Sequence, residues 1–341
     1  MKQSRVVSST AACDTPHKMR HAARTGATAR STILALVAAT AVLGGLVGGG
    51  STATAGRLDT VTIVASPYEP VALAFYADAR GFFRKYGIQA NVKVFEPGPA
   101  IAATLASGEA SFAASDIGGL LNGKSRGAPL KLVAGSGLYT PKAPTAVLVA
   151  APGRRVATAR DLVGKRIGVD RVGSIAYVAL LKWLKAGGVR AEDVQLVFYP
   201  FPDMIGPLTR GDVDGGVLPE PWLSQAKQQG ATLAARIFGT VCSDACLMTL
   251  WMARSDVDPS LAARFRNAIQ DAAVWANRKE NVPAIDRILS QRTQLPPSVI
   301  RDMTHSKFAT RLRLHRAQPW IEAYREFDLI PATFTTPDLV K

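Results

Sequence analysis

Three carboxylates, Glu69, Asp116 and Glu220, stand beside aromatic or hydroxyl side chains in segments rich in Pro, Gly and Ser. Glu69 follows Ser66 and Tyr68, Asp116 follows Ser115, and Glu220 lies between Pro219 and Pro221, just before Trp222. Two further clusters join hydroxyls to permissive backbone: Ser136 between Gly135 and Gly137, with Tyr139 beyond, and Gly173-Ser174 beside Arg171. These residue types suit holding a small molecule. Carboxylates and hydroxyls fix its polar atoms, phenol and indole rings wall its flat faces, and free amides ahead of a helix receive an anion or a carbonyl oxygen. The signatures of turnover are missing: no phosphate loop, no dinucleotide fingerprint, no His pair at helical spacing and no nucleophile elbow. His17 and His21 lie near the N-terminus, and His305 and His315 fall in a basic helical region where they are expected to face solvent. No catalytic residue, cofactor or metal is expected.

The clusters all sit where short apolar runs end. Residues 61–64, 112–114, 132–134, 167–169 and 216–218 read as strands, and in open α/β sheets ligands bind outside the carboxyl ends of the strands, where loops enter helices. The same positions also serve local structure. Tyr68 can simply pack, Asp116 and Ser174 can cap helices, Gly135-Ser136-Gly137 can be a plain turn, and Trp222 can staple a helix. Both readings stand at this point.

The elements that must position these residues repeat. Phe75, Ala79 and Phe82 precede Gly87-Ile88 and then Val92 and Val94; Val178, Leu181 and Leu184 precede Gly188-Val189 and then Leu196 and Val197. Likewise Leu105-Ala106-Ser107-Gly108-Glu109 leads into Phe112, and Leu208-Thr209-Arg210-Gly211-Asp212 into Val217. The glycines of the two pairs are 101 and 103 residues apart. Each unit reads as a helix with one buried stripe, a glycine stop and a strand. The expectation is an α/β chain of two lobes, each on a mainly parallel sheet. Residues 146–150 and 247–252 read as short buried strands where the chain crosses between lobes, and two crossings make a hinge. Lobe 1 then comprises 56–150 and 248–341, and lobe 2 comprises 151–247. Asp258 can cap a helix with Pro259 in its first turn; later helices begin near Pro283, Pro297 and Pro319 and are expected to pack around lobe 1.

Residues 1–55 read as a secretory signal peptide: six basic residues, an apolar run of 15 over 33–47, then small residues ending at Ala55. That run is shorter than the roughly 20 residues a spanning helix needs. The net charge of +15 falls to +10 once six basic residues and one acidic residue leave with the leader. The remaining charges are scattered, so no nucleic-acid partner is expected. Cys242 and Cys246 remain, in a compartment where disulfides persist, and the three residues between them leave open whether they bridge.

Five motifs occur in order: Ala77-Asp78-Ala79-Arg80-Gly81-Phe82-Phe83 with Gly87-Ile88; residues 105–109; Asp161-Leu162-Val163-Gly164-Lys165-Arg166-Ile167-Gly168-Val169; Gly211-Asp212-Val213-Asp214; and Glu220-Pro221-Trp222. Through them, residues 61–254 resemble the nitrate/sulfonate/taurine-type solute-binding proteins and the related thiamine-pyrimidine-precursor binders. The resemblance implies a periplasmic-binding-protein-like fold of type II and a monomer in the periplasm. It also implies a small-molecule ligand held between the lobes and an ABC importer permease as partner. Three carboxylates facing a cleft would repel nitrate or a sulfonate, whereas Arg171 beside Gly173-Ser174 can supply donors to one. A neutral or amine-bearing ring between Tyr68, Tyr139 and Trp222 would use the carboxylates as acceptors. A small organic ligand, sulfonate-like or heterocyclic and pyrimidine-like, therefore ranks above nitrate. The alternatives are an enzyme on the same fold related to thiamine-pyrimidine synthesis, whose cysteine-rich motif does not occur here, and a ligand receptor for a sensor system.

Overall fold

The computed structural model describes residues 58–341 apart from 67, 96–98 and 294, so the leader expected over 1–55 lies outside the described residues. Strand β1 (Asp59–Ala65) buries its apolar residues and leads through α1 (Leu73–Ala79) and α2 (Phe82–Lys85) to β2 (Ile88–Val94). Then come α3 (Pro99–Ala106), β3 (Phe112–Asp116), α4 (Ile117–Ser125), β4 (Leu130–Gly135) and β5 (Gly137–Tyr139). The middle of the chain repeats the plan: β6 (Ala146–Ala150), β7 (Arg166–Val169), α5 (Ile175–Ala186), β8 (Gln195–Phe198), α6 (Phe201–Arg210), β9 (Gly215–Pro219), α7 (Trp222–Gln228) and β10 (Thr232–Ala235). It closes with β11 (Cys246–Leu247), β12 (Thr249–Arg254), α8 (Pro259–Ala276), α9 (Val282–Thr293), α10 (Pro297–Asp302), β13 (Lys307–Phe308) and α11 (Gln318–Glu326).

The first sheet has the order β2-β1-β3-β12-β4 and the second β8-β7-β9-β6-β10, so the two are built alike. In each, two neighbouring pairs are parallel, as helical crossovers require, and two are antiparallel. The antiparallel pairs all involve β12 or β6, the strand that arrives from the other lobe. The sheets are therefore mixed by pairing, although four of five strands in each run one way. Because β6 pairs with β9 and β10, the first crossing precedes residue 146, ahead of the boundary expected at 150. Both crossings pass through a small antiparallel sheet, β11-β5-β13, in which β5 on the outward crossing pairs with β11 on the return. A disulfide joins Cys242 to Cys246, the first residue of β11.

Asp258 caps α8 by accepting from the Leu261 amide at 2.7 Å, and Phe265, Ile269 and Ala272 are buried against α1 and α2. The C-terminal helices do not all pack on the first lobe. α10 packs on α7 and α11 on α5, and the buried Trp320 of α11 meets Phe238 of the second lobe edge to face. The apolar layers span both sheets as well. Val64, Leu120, Leu148 and Leu180 share one layer, while Ile63, Phe112, Val149 and Trp222 share the other, with neighbouring strand residues on opposite faces.

Candidate functional site

Two equivalent turns, β3 to α4 in the first lobe and β7 to α5 in the second, meet across the cleft. In the first, the Asp116 carboxylate caps α4 by accepting from the Gly119 amide at 2.8 Å. In the second, Gly173 adopts φ +73° and Ser174 caps α5, its Oγ accepting from the Tyr177 amide at 3.0 Å. Ser174 Oγ also donates to Asp170 at 2.5 Å. Arg171 then bridges the lobes, donating to Asp116 through Nη2 and to Asp170 through Nη1. The Gly173 carbonyl accepts from Asn122 Nδ2 of α4 and from the Tyr324 hydroxyl of α11, each at 2.8 Å.

Both carboxylates are nearly closed off, with side chains 8% and 7% exposed for Asp116 and Asp170 against 22% for Arg171. Burial disfavours the charge on Arg171, but the two flanking carboxylates outweigh it and hold the guanidinium more basic than usual. Burial raises the Asp170 carboxyl above the ordinary range, only partly offset by Arg171.

Beneath this contact lies an interlobe cavity of about 30 Å³. Asp116, Asp170, Tyr68, Thr145 and Thr249 supply its polar lining; Phe201, Phe238 and Ile175 are among its apolar walls. Tyr68 packs against Phe201 edge to face and against Trp222 at 5.5 Å between ring centres. Thr249 donates to the Pro70 carbonyl at 2.6 Å and accepts from the Gly137 amide at 2.7 Å, tying β12 to the loop that carries Tyr68.

Of the residues singled out in the sequence, Tyr68 and Asp116 line this cavity and Ser174 adjoins it through Asp170, while Gly173 and Asn122 line a separate pocket. The others lie elsewhere. Ser66 donates to the Phe95 carbonyl and Ser136 to the Pro70 carbonyl, both at 2.7 Å, so each ties down backbone. Ser115 is half-buried in β3, and Tyr139 packs against the cavity wall residue Phe238 without lining the cavity itself. Trp222 stacks behind Tyr68 and Phe201 as a second aromatic layer. Asp170, Thr249 and Phe201 carried no local sequence signal, although Asp170 directly follows β7, where the strand-end rule looks.

Glu69 and Glu220 turn away from the cavity and grip the segment between α10 and β13. Glu69, fully buried, accepts from the Ser306 amide at 2.5 Å and bonds His305 Nδ1 at 2.7 Å. Glu220, whose bond to Pro221 is cis, accepts from the Thr304 amide and from the amide and hydroxyl of Ser224. Buried backbone amides require acceptors, and here the two carboxylates meet that need. His305 Nε2 lies 3.3 Å from Asp286, so this histidine sits between acids and does not simply face solvent. Burial disfavours its charge, but the bond to Glu69, with Asp286 beyond, raises its pKa overall.

Comparison with known proteins agrees with this geometry. The chain is 24% identical to the taurine-binding periplasmic protein of Escherichia coli over 66% of its own length and 71% of that protein. Its fold matches the alkanesulfonate-binding protein SsuA from Xanthomonas axonopodis pv. citri, solved bound to MOPS, with a TM-score of 0.69 at 18% identity over 84% of this chain and 99% of that one. It also matches the desulfurization enzyme DSZB, with a TM-score of 0.61 at 20% identity over 83% and 96% of the two chains. The family model described as NMT1/THI5 like covers residues 70–280, most of both lobes, and the chain belongs to that family.

Proposed function

We propose that this chain is the extracytoplasmic solute-binding component of an ABC importer and that it encloses a small organic ligand between its two lobes. The observation that carries this reading is the meeting of two equivalent strand-to-helix turns, one from each lobe, over an interlobe cavity walled by Tyr68 and Phe201. A ligand that touches both turns favours the closed form by its differential contacts, and a closed clamp is then a form that a permease can distinguish from the open one. In this reading residues 1–55 direct export and are removed near Ala55, and the protein works as a monomer.

Binding without turnover is the favoured chemistry. Cys242 and Cys246 are joined to each other and neither lines the cavity, and the hydroxyl of Thr249 there is committed to the Pro70 carbonyl. The likeness to DSZB makes turnover worth testing directly. A thermal-shift screen of the purified chain against sulfonates, nitrate, pyrimidines, aromatic carboxylates and amines is expected to give a dose-dependent rise with one chemical class, the compound being recovered unchanged. Conversion of the stabilising compound would replace this reading with an enzyme on the same fold.

A further inference from the structure

The solute-binding reading leaves the charge of the ligand open, and the cavity lining bears on it. Its charged groups are Asp116 and Asp170; no Lys, Arg or His is among the residues that line it. The donors that neutralise these carboxylates are already spent on them: the Gly119 amide and Arg171 Nη2 on Asp116, the Ser174 hydroxyl and Arg171 Nη1 on Asp170. A carboxylate is acceptor-only and offers about four lone-pair sites, more than these donors fill. With both carboxylates ionised, two against one guanidinium give the cluster a net negative charge. An anion entering here would meet acceptors; a protonated amine or amidine would meet partners.

A second feature of the lining points the same way. Tyr68, Phe201 and Phe238 all border the cavity, and aromatic faces attract a cation through their ring quadrupoles. The protein's own guanidinium of Arg171 shows how a planar cation is accommodated between these carboxylates, which come from opposite lobes. The volume of about 30 Å³ exceeds the roughly 10–15 Å³ that one water needs, which suits a small head group.

We infer that the ligand is cationic, a small molecule whose protonated amine or amidine sits between Asp116 and Asp170 against the rings of Tyr68 and Phe201. This inference rests on the solute-binding reading. It departs from the anionic sulfonate group named in the ligands of the matched relatives. Taurine, which carries both an amine and a sulfonate, separates the two ends of the question.

The test is isothermal titration of the purified chain with acetamidinium, ethylammonium and tetramethylammonium, alongside neutral acetamide, taurine, methanesulfonate and nitrate. The expected result is saturable binding of a cation at least tenfold tighter than acetamide or either anion, weakened at least tenfold in Asp170→Asn. Tyr68→Leu, which keeps every carboxylate, is expected to weaken the same cation and guards against an Asp170 variant that fails to fold. Cation affinity should also fall as acidification protonates Asp170. Tighter binding of methanesulfonate or nitrate, lost in Arg171→Ala, would overturn the cationic inference while leaving a solute-binding protein. Saturable binding of none of these probes, with no thermal shift across the wider panel, would remove the solute-binding reading and this inference with it.

Discussion

Arg171 is held by two carboxylates that have almost no access to water, so its removal exposes the cost of burying charge without a partner. Arg171→Met is expected to destabilise the protein by about 2 kcal/mol in urea unfolding, less than for a fully buried pair because the guanidinium keeps some solvent. His305 makes a pH-dependent contribution of opposite origin. Its folded pKa is raised above the ordinary 6.5, so its pairing with Glu69 stabilises fully below about pH 6.5 and is lost as pH rises through the higher folded value. The groups around it are Glu69, Asp286, Glu220 and Arg301, with the buried Tyr76 hydroxyl near the first two. His305→Gln should therefore be less stable than the wild type in mild acid and converge with it in alkali, as urea midpoints across the pH range will show. Residue roles were legible where the partner is local. Asp116 and Ser174 precede the helices they cap, and short-range pattern finds them. Glu69 and Glu220 serve amides 237 and 84 residues away, Ser306 and Thr304, and nothing in the neighbouring sequence encodes such a partner.

Elements were more legible than side chains because helix and strand periods are local properties. The glycine-punctuated repeat marks α1 to β2 and α5 to β8 as equivalents, and proline marks the starts of α8, α9, α10 and α11. Which sheet β6 joins was not legible, since a five-residue apolar run carries no record of it. Nor was the packing of α10 and α11 on the second lobe. Where elements from opposite lobes touch, a single methyl group becomes a probe. A Cβ on Gly118 of α4 would lie 2.7 Å from the Gly173 carbonyl and 1.9 Å from the Tyr324 hydroxyl. The hydroxyl can swing away, but the carbonyl is backbone of the facing turn. Gly118→Ala is expected to wedge the two turns apart and weaken any ligand that needs both lobes, by tenfold or more in a calorimetric titration, while each lobe stays folded. Unchanged affinity would mean that these turns need not approach for binding.

At the scale of the molecule, two sheets of the same order trade one strand each, and the crossings that result are bonded to one another in the small β11-β5-β13 sheet. That arrangement supplies a hinge: short paired crossings on one side, and the Asp116 and Asp170 turns meeting over the cavity. The apolar layers that run through both lobes and the Arg171 bridge from Asp170 to Asp116 favour the closed form, and the entropy lost in fixing the lobes against each other opposes it. The balance between them is the property on which the proposed function depends. Small-angle X-ray scattering from the purified chain, alone and with increasing amounts of the most stabilising compound in the thermal-shift screen, measures that balance directly. The account predicts a saturable fall in the radius of gyration with the same midpoint as the calorimetric titration; binding that saturates while the radius of gyration of the open, ligand-free form persists would contradict it.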